Sequence, residues 1–134
     1  MRPHKISLNR DFVALCPFAS RFPLEVLILP LRHQPHFAQM EEANLESLAL
    51  FLKEILYRLK MAAHDPPFNL ILKTAPIQEK NAFYHWHIEI LPRLTITAGF
   101  EWGTGIFINP TPPELAAQSL REITDKEGSL CLKS

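Results

Sequence analysis

Short hydrophobic runs bounded by prolines dominate the first part of the chain. One run covers residues 12–15, and another covers residues 24–29 between Pro23 and Pro30. Proline is tolerated at the ends of strands but not inside a hydrogen-bonded ladder, so both runs are predicted to be strands. Further short strands are predicted at residues 68–72, 94–97 and 106–108.

One long helix is predicted over residues 41–63, because its leucines and isoleucine recur every three or four positions and form one apolar stripe. His64, Asp65 and two prolines then end the helix. Leu50, Phe51 and Leu56 extend the apolar surface beyond the stripe. The helix is therefore expected either to pack between a sheet and a partner chain or to leave an exposed patch. A second helix is predicted over residues 112–123, with Thr111 as its N-cap.

Residues 83–93 are rich in aromatic and β-branched side chains and are predicted to form a strand. Side chains alternate between the two faces of a strand, so His85, His87 and Glu89 are expected to share one face. Trp86 and its neighbours on the other face are expected to join the core. Two imidazoles and a carboxylate are costly to bury without partners, which indicates a functional site; a solvated face with two incidental histidines is the alternative.

Two other segments carry polar groups of interest. His33 and His36 flank Pro35, and we interpret residues 31–40 as a polar loop that leads into the long helix. Residues 99–105 hold three of the four glycines, with Glu101 between two aromatic residues as a polar handle for a ligand. This segment lacks both the lysine of a phosphate-binding loop and the dinucleotide fingerprint.

The bulk composition excludes several classes of protein. The 134 residues have a formal net charge of +0 and a pI of about 7.0, which argues against nucleic-acid and membrane-surface binding. Cys16 and Cys131 do not form a disulfide framework, and Cys16 is expected in the core. The N-terminal segment lacks a signal-peptide pattern and no apolar run is long enough to span a bilayer, so a cytoplasmic location is expected.

Several motifs together resemble a known family. They occur in order at residues 12–23, 74–76, 84–94, 98–105 and 109–114. Together they resemble the C-terminal half of bacterial galactose-1-phosphate uridylyltransferase, of the histidine-triad superfamily. The resemblance implies an α+β, HIT-like fold over residues 1–124: a mostly antiparallel β-sheet with one long helix packed on it and a C-terminal helix. Residues 125–134 are expected to form a flexible tail.

The resemblance also implies roles for individual residues. His85 and His87 match a pair of strand histidines that help to hold a structural metal in some members, and Lys73 stands where a third histidine ligand is expected. We therefore expect no tightly bound zinc or iron, with His85 and His87 as weak alternative ligands. Glu101 matches an acidic residue that contacts sugar hydroxyls. The His-Pro-His-x-Gln motif of the N-terminal half, whose second histidine carries the uridylyl group, does not occur in this sequence.

Two functions follow from these expectations. The first is a domain of carbohydrate metabolism that binds a sugar phosphate or nucleotide sugar through Glu101, Lys73 and His85. It would form a homodimer or pair with a catalytic half that performs uridylyl transfer. The alternative is a free-standing histidine-triad nucleotidyltransferase or hydrolase with His87 as the nucleophile, or a pseudoenzyme that only binds.

Overall fold

A computed structural model describes residues 4–78 and 83–123 of the chain. The described residues form one antiparallel sheet of five strands in the order β1-β2-β3-β5-β4, so β1 and β4 lie at its two edges. The strands are β1 (Lys5–Leu8), β2 (Phe12–Leu15), β3 (Val26–Pro30), β4 (Phe68–Lys73) and β5 (His87–Pro92).

The long helix was predicted almost to the residue. Helix α1 spans Glu42–Ala63 and buries one stripe against the sheet. It ends at His64, whose backbone is left-handed with φ of 57°, and the two prolines that follow prevent its continuation. The buried residues of the stripe are Leu48, Phe51, Ile55 and Leu59.

Two shorter helices follow the sheet strands. Helix α2 spans Gly99–Thr104, and helix α3 spans Pro113–Glu122 and packs against β1 and α1. A turn of 3₁₀ helix at Phe37–Gln39 precedes α1. Together α1, α3 and the sheet face beneath them enclose the hydrophobic core, which includes Trp86 and, as predicted, Cys16.

The α+β, HIT-like architecture was expected, but the boundaries of several elements differ. Strand β5 starts at His87 instead of residue 83, and residues 94–97 and 106–108 are not strands. The glycine-bearing segment contains the short helix α2, and the residue that precedes α3 is Pro112 instead of Thr111. The predicted tail and Cys131 lie outside the described residues.

Strand β4 is distinctive because it has one neighbour, β5, and all six of its residues are exposed. Its side chains on the α1 side of the sheet are apolar and are between 41 and 44% exposed: Phe68, Leu70 and Leu72. Among the described residues, no helix is long and apolar enough to cross a membrane.

Candidate functional site

The carboxylate of Glu89 is the centre of a charged cluster on the sheet face opposite α1. Ile88 and Ile90 point into the core, so alternation along β5 directs His87 and Glu89 to the other face. The register places Lys73, the last residue of β4, directly across from His87. Its Nζ lies 3.1 Å from Glu89 Oε1 and thereby links the edge strand to β5.

Arg21 approaches the same carboxylate from the loop between β2 and β3. Its Nη2 lies 3.2 Å from Glu89 Oε2 and 3.2 Å from Glu25 Oε1. The backbone N–H of Arg21 also donates to Glu25 Oε2 at 2.6 Å. Both oxygens of Glu89 are therefore paired with cations, which explains how two nearly buried carboxylates are tolerated here.

These contacts set the protonation of Glu89. Burial by itself raises the pKa of the carboxyl. The hydrogen bond and charge of Lys73, the charge of Arg21 and the hydrogen bond with His87 outweigh burial and lower the pKa below its ordinary value. The ionised form of Glu89 is therefore the one that the folded chain stabilises.

Acid is expected to weaken this cluster. A carboxyl with a lowered pKa contributes stability that is fully present above its unfolded pKa of about 4.3 and is lost as the pH falls through the folded value. The free energy of unfolding of Glu89→Gln should therefore approach that of the wild type as the pH falls below about 4.3. Urea titrations above and below this pH measure the difference, with Glu46→Gln on the exposed side of α1 as a control. A difference that does not depend on pH would contradict this role of Glu89.

His87 is held by oxygen atoms at both ring nitrogens. Nε2 lies 3.4 Å from Glu89 Oε1, and Nδ1 lies 3.2 Å from the carbonyl oxygen of His85. The ring also stacks against Tyr84, with centroids 6.4 Å apart. A nucleophilic histidine needs a lone pair directed at the substrate, and in this geometry neither nitrogen offers one.

His85 lies outside the Glu89 cluster, and the expected alternation along the strand does not extend to it, because β5 starts at His87. It precedes β5, and its ring Nε2 lies 2.8 Å from the Pro30 carbonyl oxygen while its Nδ1 lies 3.2 Å from Nδ1 of His33. The observed strand is shorter than the predicted one and starts directly after Trp86, which is fully buried in the core. His33 lies in a loop, as predicted, and the antiparallel pairing of β3 with β5 brings the end of β3 beside the start of β5.

The two imidazoles have some features of a metal site. A backbone carbonyl that orients one ring nitrogen while the other faces outward is the usual arrangement of a histidine ligand. Structural zinc sites need four protein ligands, however, and the described residues contain no group of three or more His, Cys, Asp or Glu side chains that could hold a metal. His33 and His85 alone do not complete such a site.

Glu101 binds its own backbone segment. Its Oε1 accepts from the N–H of Ile108 at 2.9 Å, and its Oε2 accepts from the N–H of Ala98 at 3.1 Å. The hydrogen bond from Ile108, followed by that from Ala98, lowers the pKa of the carboxyl. The carboxylate thus closes the segment around α2, which presents Phe100 and Trp102 to the surface with exposures of 57% and 79%. Its contact with a sugar stays a prediction.

Comparison with known proteins places these features in a family. The profile of the "Galactose-1-phosphate uridyl transferase, C-terminal domain" family matches residues 2–129. A galactose-1-phosphate uridylyltransferase from Thermotoga maritima is 35% identical over 127 residues, which cover 88% of this chain and 40% of that protein. The crystal structure of an ADP-glucose phosphorylase from Arabidopsis thaliana with bound ADP-glucose superposes with a TM-score of 0.87 at 34% identity, over 92% of this chain and 41% of that one.

The chain therefore spans about two fifths of the length of these two relatives. A HIT-like protein from Bartonella henselae shares the fold alone, with a TM-score of 0.66 at 17% identity over 88% of this chain and 84% of that one. The match of the family profile to all of the described residues shows that the chain belongs to the galactose-1-phosphate uridyl transferase C-terminal domain family.

Proposed function

We propose that this domain binds a sugar phosphate or nucleotide sugar and takes part in nucleotidyl transfer through a partner that supplies the nucleophile. The observation that carries the proposal is the match of the family profile to residues 2–129. The solved relative with bound ADP-glucose supports a nucleotide sugar as the ligand class, and the relative from Thermotoga maritima supports a uridylyl group.

The cations of the Glu89 cluster support the binding of a phosphate group. The side chains of Lys73 and Arg21 are 43% and 38% exposed, although each is paired with Glu89. An ammonium has three N–H donors and a guanidinium has five, so each cation has more donors than its contacts with Glu89 use. A phosphate at the exposed edge of the cluster would accept from these remaining donors, although the carboxylates of Glu89 and Glu25 balance the two positive charges.

The state of His87 supports the need for a partner. Both of its ring nitrogens face oxygen atoms, at 3.4 and 3.2 Å, so the free-standing transferase with His87 as nucleophile is the less favoured alternative. In the family that the sequence resembles, the covalent step is carried out by a His-Pro-His-x-Gln motif in the N-terminal half of the enzyme. We infer that this domain contributes ligand contacts, while the partner contributes the reacting histidine.

The edge strand β4 is the proposed docking surface for that partner. It presents an unpaired edge together with the exposed apolar side chains of Phe68, Leu70 and Leu72. Leu56 of α1 and Phe68 line the same shallow groove at this edge. Such an edge is a template for adding a strand from another chain. A second copy of this chain, or a catalytic half of the same fold, would cover it.

Binding is tested by NMR titration with UDP-glucose, ADP-glucose and galactose-1-phosphate. We expect weak binding, with a dissociation constant of roughly 0.1–1 mM, because the titration contains no proposed partner to add ligand contacts and association costs several kcal/mol. Shifts should concentrate near Lys73 and Arg21 and should weaken in Lys73→Gln. The matched control is Lys53→Gln on the exposed side of α1. Equal loss in both variants, or no saturable shift with any of the three ligands, would contradict the proposal.

A further inference from the structure

The His87–Glu89 pair contains two of the side-chain types that hold transition metals. The resemblance implies a structural metal in this part of the fold for some members, with the third histidine at the position of Lys73. The residues present do not fit such an ion. Lys73 has N–H donors and no acceptor, so its ammonium cannot be a ligand. It also pairs with Oε1 of Glu89, the oxygen that lies nearest to Nε2 of His87.

We propose that the ammonium of Lys73 is the built-in cation of this site and takes the place of a metal ion between β4 and β5. This inference does not depend on the proposed function.

The positions of the residues support the replacement of a metal ion by the ammonium of Lys73. Lys73 and His87 are direct partners in the register of β4 and β5, and the ammonium of Lys73 pairs with Glu89 of β5, so it joins the two strands as a metal would. The side chain of Glu89 is 10% exposed and already receives Arg21 on its other oxygen. The two carboxylates of Glu89 and Glu25 are thus already balanced by two protein cations, Lys73 and Arg21. A divalent ion beside them would add two positive charges without a new anionic ligand, which disfavours its binding.

We expect a single substitution to convert this site into one that binds a metal ion. Lys73→His removes the repelling ammonium and supplies an imidazole directly opposite His87. Two imidazoles and the Glu89 carboxylate form a ligand set that suits divalent transition metals. Loss of an outer-shell partner alone changes metal affinity by about 10- to 100-fold, so exchanging a cation for a ligand should raise affinity by at least about tenfold.

Cobalt(II) titration of the full chain tests this inference, followed by visible absorption and by calorimetry. Every variant carries His33→Ala, so that the separate pair of His33 and His85 is disrupted. With Lys73 retained, we expect no binding that depends on His87. With Lys73→His we expect one equivalent of cobalt(II) per chain, and with Glu89→Gln added we expect that affinity to be lost.

Lys73→Gln is the matched control, since it removes the charge without supplying an imidazole, and it should bind more weakly than Lys73→His. Thermal melting in the absence of metal verifies that each variant is folded. Two results would overturn the inference. One is stoichiometric cobalt(II) binding to the protein that retains Lys73, abolished by His87→Ala. The other is a folded Lys73→His variant that gains no affinity.

Discussion

Replacing Trp86 by alanine is expected to lower the free energy of unfolding by about 3–5 kcal/mol. The side chain is fully buried, and its ring lies 6.1 Å from Phe12 and 5.0 Å from Phe37, centroid to centroid. Its Nε1 donates to Gln34 Oε1 at 3.3 Å. The substitution would open a cavity at the start of β5 and remove the hydrogen bond to the half-buried Gln34, and both effects are destabilising.

Urea denaturation followed by far-ultraviolet circular dichroism measures this loss, and Trp102→Ala is a matched control. Trp102 is 79% exposed, so its removal should cost less than about 1 kcal/mol. Since Trp86 holds the segment that contains His33 beside the start of β5, the His33 and His85 resonances should also shift in Trp86→Ala. Similar losses for the two tryptophan variants would contradict the role given to Trp86.

Charging the exposed edge strand is expected to prevent self-association. We expect the wild type to be a homodimer that buries the apolar face of β4, since exposed apolar area costs roughly 25 cal/mol per Å². Leu70→Lys places an ammonium in the centre of that surface. The dissociation constant should rise at least about 100-fold, which corresponds to about 2.7 kcal/mol.

Light scattering at about 10–100 μM covers the range in which a moderately tight dimer and a monomer are distinguished. Leu50→Lys is the control, because Leu50 is 52% exposed but lies on α1 instead of the edge strand. The control should remain dimeric. A wild type that is monomeric throughout this range, or equal dissociation of both variants, would contradict docking through β4.

Local patterns predicted the elements whose formation depends on neighbours in sequence. The stripe of α1 and the prolines after it determined a helix within one residue of the observed start. Strand β1 was not predicted, because in Lys5–Leu8 one residue alone, Ile6, joins the core and the segment forms a strand by pairing with β2. Helix α2 was not predicted, since it depends on the carboxylate of Glu101 closing the backbone around it.

The contacts of the candidate site were harder to predict than the helices and strands, because they depend on pairing between segments that are distant in the sequence. Alternation along β5 correctly placed His87 and Glu89 on one face, and Lys73 was singled out by position. Arg21 was missed, because nothing local connects a loop residue to a carboxylate 68 positions later in the chain. The contact of His33 with His85 was also missed, since it requires knowledge that β3 pairs with β5.

The central claim is that the domain binds its ligand but lacks a nucleophile of its own. Intact-protein mass spectrometry after single-turnover incubation with UDP-glucose, and separately with ADP-glucose, tests it most directly. We predict unmodified protein with either nucleotide sugar, and a nucleotidyl adduct on the partner once a catalytic half that carries His-Pro-His-x-Gln is added. A nucleotidyl adduct on this chain alone that disappears in His87→Gly would contradict the account and identify His87 as the nucleophile.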